Sequence, residues 1–70
     1  MKIEDFQTDF SNCVYNLKRI RLSNDVVIVA DDYEINKGEI ILIYGYHRIA
    51  YLRANAIKKV CDDEYSMGGD

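Results

Sequence analysis

The segment Glu39-Ile40-Ile41-Leu42-Ile43-Tyr44-Gly45-Tyr46-His47-Arg48-Ile49-Ala50-Tyr51-Leu52-Arg53 restricts the fold more than any other in this chain. β-Branched and aromatic side chains crowd a helical turn but pack well on a pleated surface, and Gly-Tyr-His-Arg breaks the run at its middle. Two strands folded into a hairpin satisfy both features. Every remaining apolar segment then has to find its partner against that hairpin.

Upstream, apolar residues at Phe6, Phe10, Cys13, Val14 and Leu17 form a stripe at helical spacing. Glu4, Asp5 and Asp9 sit where the helix dipole favours acid, so residues 1–15 are expected to hold an N-terminal helix. Asn12 and Asn16 weaken its end, leaving open a stop near Phe10 with extended chain from Cys13. From Asn16 to Leu22 the pattern alternates, with Ile20 and Leu22 on one side and Arg19 and Arg21 on the other, which is the period of a half-buried strand. Ser23-Asn24-Asp25 is a turn, because short polar side chains there bond their own backbone. Val26 to Ala30 starts a strand apolar on both faces, expected to run on, bent around Asp31-Asp32, through Tyr33, Glu34 and Ile35. Asn36-Lys37-Gly38 supplies the left-handed backbone of a tight hairpin and should set Ile35 opposite Ile40. After the organising hairpin, Ala54-Asn55-Ala56 reads as one helical turn. Ile57 to Cys61 is the last strand, with Ile57, Lys59 and Cys61 on one side and Lys58 and Val60 on the other. Residues 62–70 form an acidic tail.

The expected fold is therefore mainly β (α+β) in a single domain: a helix over 1–15, then a five-stranded, strongly bent meander or small barrel over 16–61. Closing the sheet would protect its edges from pairing with other chains. Seventy residues suffice for one core and one surface function, but supply few walls for a deep pocket. With 30% charged and 49% hydrophobic residues the composition is globular, and a net charge of -3 gives no global attraction to nucleic acid or anionic lipid. The longest apolar runs are strand length and the acidic first fifteen residues do not resemble a leader, so a cytoplasmic protein is expected. Abundant Ile, Asn, Asp and Tyr without Trp or Pro is a bias common in AT-rich genomes, including those of many bacteriophages.

Candidate chemistry is sparse. Cys13, Cys61 and the single His47 show no metal-ligand spacing, and two reduced thiols or a bridge between the chain ends are the alternatives for the cysteines. His47 has no partner that the sequence places, and no phosphate-cradling Gly loop or nucleophile elbow is present, so neither an enzyme nor a cofactor is expected. Tyr33, Tyr44, Tyr46 and Tyr51 gather around the two hairpins, where half-buried amphipathic rings suit a protein interface. Asp31, Asp32 and Glu34 add an acidic patch suited to a basic protein surface. Lys18, Arg19 and Arg21 give a basic strand face that Arg48, Arg53, Lys58 and Lys59 extend; interleaved with Tyr15, Tyr46 and Tyr51, it suits single-stranded nucleic acid.

Leu52-Arg53-Ala54-Asn55-Ala56-Ile57, following a bent second strand and preceding the last one, resembles the second signature of the Sm-like RNA-binding fold. Arg53 and Asn55 match that signature, Ala54 replaces its Gly, and the first signature is replaced by Val29-Ala30-Asp31-Asp32-Tyr33. The resemblance implies a small barrel with Arg53 and Asn55 beside a base-binding pocket at a subunit boundary. Two readings follow. One is a non-catalytic module, an accessory or inhibitor of phage or mobile-element kind, that binds a host protein and self-associates through an edge strand. The other is an Sm-like oligomer that binds single-stranded RNA through Arg19, Arg21, Arg53 and Asn55.

Overall fold

A computed structural model describes residues 1–11 and 17–62 of the chain. Helix α1 (Ile3–Ser11) is followed by β1 (Lys18–Leu22), β2 (Val27–Ala30), β3 (Asp32–Asn36), β4 (Glu39–Tyr44), β5 (His47–Arg53), a 3-10 turn (Ala54–Ala56) and β6 (Ile57–Asp62). The strands form two antiparallel three-stranded sheets, in the orders β2-β1-β6 and β3-β4-β5. A mainly β fold behind an N-terminal helix is thus what the chain adopts. The segments around Cys13 and from Asp63 onward, including the proposed helix extension and most of the tail, lie outside the described residues.

In two places the architecture departs from the sequence expectation. The long second strand is two strands, β2 and β3, that belong to different sheets, so there are six strands among the described residues. The break is Asp31, whose N–H leaves the first sheet to donate to the Ile43 carbonyl (2.9 Å) while its Oδ2 accepts from the Gly45 N–H (3.1 Å). No closed barrel forms, since at Asp31 and again at the 3-10 turn the chain changes sheet.

Central strands carry the core. Ile20 on β1 lies opposite both Ile28 and Val60, and Ile40 and Leu42 on β4 face inward, so Ile20, Ile40 and Leu42 are wholly buried. Phe6 closes this core from α1, with its ring centroid 4.9 Å from Phe10 and 5.1 Å from Tyr33. Asn36 pairs with Glu39 and Ile35 with Ile40, and Lys37 and Gly38 both take positive φ (52° and 79°), the two-residue hairpin geometry the sequence called for.

Two bulges set what faces outward. Opposite β1, the register steps from Arg21–Lys59 to Leu22–Ile57, leaving Lys58 as an extra residue. Val60 therefore turns inward with Ile57, contrary to strict alternation, and Lys58 and Lys59 both point to solvent. In the second sheet the register steps from Leu42–Ala50 to Ile43–Arg48, which leaves Ile49 unpaired and exposed.

Lys18 is a further correction. It shares the phase of Ile20, is 4% exposed, and pairs its Nζ with Asp62 Oδ1 at 2.6 Å. It leaves the basic face to Arg19 and Arg21, and it makes Asp62 part of β6 where the sequence placed the start of a tail.

Candidate functional site

Hairpin β4–β5 turns at Gly45-Tyr46, and both residues have positive φ (60° and 70°). A two-residue turn of this kind matches the twist of its strands only with left-handed backbone, which Gly, Asn and Asp tolerate and an aromatic residue does not. Tyr46 is nevertheless there, fully exposed, and the hydrogen bond from the Gly45 N–H to Asp31 anchors the turn. Beside it lies a shallow depression of about 470 Å³ lined by Asp31, Asp32, Ile43 and Tyr46, continued by Glu34, His47 and Arg48. Among the described residues, Tyr44, Tyr46, Ile49 and Tyr51, four of the six exposed large apolar side chains, belong to this one hairpin.

The outer face of the second sheet has its own small cluster. Glu34, Ile41 and Tyr51 are neighbours in register, and Ile41 is only 6% exposed although it points away from the core. Arg48 crosses this row, donating from Nε to Glu34 Oε1 at 3.0 Å. The hydrogen bond and charge of Glu34, with a lesser contribution from Tyr51, hold the Arg48 guanidinium above its ordinary pKa.

Of the residues expected to form a protein interface, the fold joins Asp31, Asp32, Glu34 and Tyr46 around the depression, with Tyr44 and Tyr51 on the same hairpin. Tyr33 is separated from them. It points inward and packs edge-on to Phe6 and 4.8 Å from Phe10. Much of the acidic patch is engaged within the fold: Asp31 holds Gly45, Asp32 Oδ1 accepts from the Tyr33 N–H at 2.8 Å, and Glu34 holds Arg48. Ile43 and Ile49 complete the surface. Ile43 was deducible from alternation, since Ile40 and Leu42 point inward, whereas the Ile49 bulge has no mark in the sequence.

The expected nucleic-acid residues fall in two places. Arg19 and Arg21 lie on the outer face of the first sheet, where a depression of about 440 Å³ is lined by them with Val27, Lys58, Lys59 and Cys61. Arg53 instead borders Asn36, Lys37, Gly38 and Glu39 at the far end of the second sheet, and Asn55 is exposed on the 3-10 turn. Among the described residues no group of three His, Cys, Asp or Glu is placed to hold a metal ion, and no helix is long and apolar enough to cross a membrane. No family model matches this chain, and no curated protein or solved structure does either.

Proposed function

We propose that this chain is a non-catalytic protein-binding module that engages its partner with the tip of hairpin β4–β5. The observation that carries the reading is Tyr46. A left-handed backbone costs a non-glycine residue about 1–2 kcal/mol, and a fully solvated ring recovers nothing inside this molecule. An aromatic anchor that is costly when free is well used when it enters a partner's pocket, and Tyr is among the residues that dominate such contacts. Ile43 lines the depression beside Tyr46, Ile49 and Tyr51 add exposed apolar surface on the same hairpin, and Asp32 gives an acidic rim that favours a basic partner. A module that only covers a partner's surface acts as an accessory or inhibitor.

Tyr46→Gly separates function from folding. Gly relaxes the turn, so denaturant midpoints should stay level or rise by up to about 1 kcal/mol of stability. Affinity for any protein captured by the wild-type chain should fall at least tenfold, while the Arg21→Gln, Lys59→Gln chain should retain it. Capture unaffected by Tyr46→Gly would remove the hairpin from the interface.

Self-association is proposed at β2, an edge strand on which Val27 and the adjoining Val26 are 43% and 50% exposed. Sedimentation at rising concentration should show a dimer that Val27→Lys abolishes. A monomer at every concentration would end that part of the reading.

A further inference from the structure

The outer face of the first sheet carries a basic concavity that shares no residue with the β4–β5 hairpin. Its floor is two rows of residues in register across the strands: Val29, Arg19 and Cys61, then Val27, Arg21 and Lys59. The bulge in β6 adds Lys58 beside Lys59, so four cations ring a concavity of about 440 Å³ walled by Val27 and Cys61. Asp25 is the one carboxylate among the described residues that reaches them, 3.9 Å from Arg21 and 3.3 Å from Lys58. The chain is acidic as a whole, yet this face holds an excess of positive charge.

Arg19 adds the decisive detail. Its Nε–H is shielded from solvent and has no acceptor among the described residues. Such a donor costs about 1–3 kcal/mol when left unmet, and the guanidinium edge that includes Nε is the one that grips an oxyanion with two parallel hydrogen bonds. Arg21, Lys58 and Lys59 line the same concavity on long, flexible side chains that keep their charged ends in water.

The geometry points to a binding site for clustered phosphate groups, seated on Arg19 and neutralised by Arg21, Lys58 and Lys59. An oligonucleotide backbone and a small polyphosphate present the same chemistry. Neither uses Tyr46, so this site stands or falls apart from the hairpin interface.

The test is fluorescence anisotropy of the full chain with a labelled oligo-dT, followed by competition with tripolyphosphate and by calorimetric titration of the chain with tripolyphosphate by itself. With about three phosphates neutralised, log K should fall with log salt at a slope of about -2, roughly a sixteenfold loss between 50 and 200 mM. Arg21→Gln with Lys59→Gln, both at exposed positions, should weaken binding at least tenfold. Arg19→Lys, which keeps the charge and removes the fork, should weaken it several-fold, and Tyr46→Gly should leave it intact. Displacement by tripolyphosphate supports the site and identifies a small polyphosphate as sufficient. Binding of the oligonucleotide that tripolyphosphate does not displace supports it and assigns the extended backbone; binding of tripolyphosphate alone supports the small ligand. Absence of binding by both probes at low salt, or affinity unchanged in the double variant, overturns the inference.

Discussion

Phe6→Ala is expected to leave most of this chain unfolded at room temperature. A single core in a domain of this size rarely supplies more than about 3–5 kcal/mol of net stability, and deleting a fully buried Phe costs about the same. Phe6 is the one wholly buried residue of α1; it packs beside Phe10 of the same helix and edge-on to Tyr33, and belongs to the same core cluster as Ile20, Ile40, Leu42 and Ile57. With nine residues, α1 is too short to be stable without that packing, so the helix and the core depend on each other. Chemical denaturation followed by circular dichroism should find the Phe6→Ala chain without a folded baseline. Phe6→Leu, which refills most of the volume, should lose about 1–2 kcal/mol and still unfold cooperatively. An Ala variant as stable as the wild type would mean that the two sheets hold their core alone and that the helix is an appendage.

Much of this architecture was legible because it rests on local rules. Asn36-Lys37-Gly38 demanded a left-handed turn and fixed Ile35 opposite Ile40, and the apolar stripe of Phe6 and Phe10 announced a helix with one buried side. What stayed hidden was set by tertiary choices that leave no periodic trace. Alternation placed Val60 on the side opposite Ile57, and one extra residue at Lys58 brought the two together. The same bulge put two consecutive lysines on one face and thereby made the basic concavity, so the clearest error in the strand reading is also the origin of a candidate site. Asp31 resembled one more member of an acidic patch, yet its hydrogen bonds to Ile43 and Gly45 make it the joint between sheets and the anchor under Tyr46. Tyr33 and Tyr46 carry the same side chain, and only the packing of one against Phe6 and the full exposure of the other tell them apart.

Asp62→Ala should cost about 2 kcal/mol, the second largest effect expected from a single change, although Asp62 itself is 68% exposed at its side chain. The loss arises at its partner. Lys18 points inward with Ile20, its side chain is 5% exposed, and its Nζ contacts Asp62 Oδ1 at 2.6 Å. Removing one member of a fully buried pair costs about 3–5 kcal/mol because the other charge is left uncompensated. Here the open side toward Asp62 lets the freed ammonium reach water along its flexible stem, which reduces the expected figure. Lys18→Met provides the contrasting case. It removes the charge along with the need to desolvate it, keeps the apolar stem against the core, and should fall within about 1 kcal/mol of the wild type on either side. Combining the two substitutions should then cost little more than Lys18→Met alone, giving a coupling of about 2 kcal/mol in urea denaturation. Additive losses would show that Lys18 and Asp62 act independently. A Lys18→Met chain as unstable as Asp62→Ala would show that the ion pair contributes net stability, and that the buried end of β1 depends on its charge.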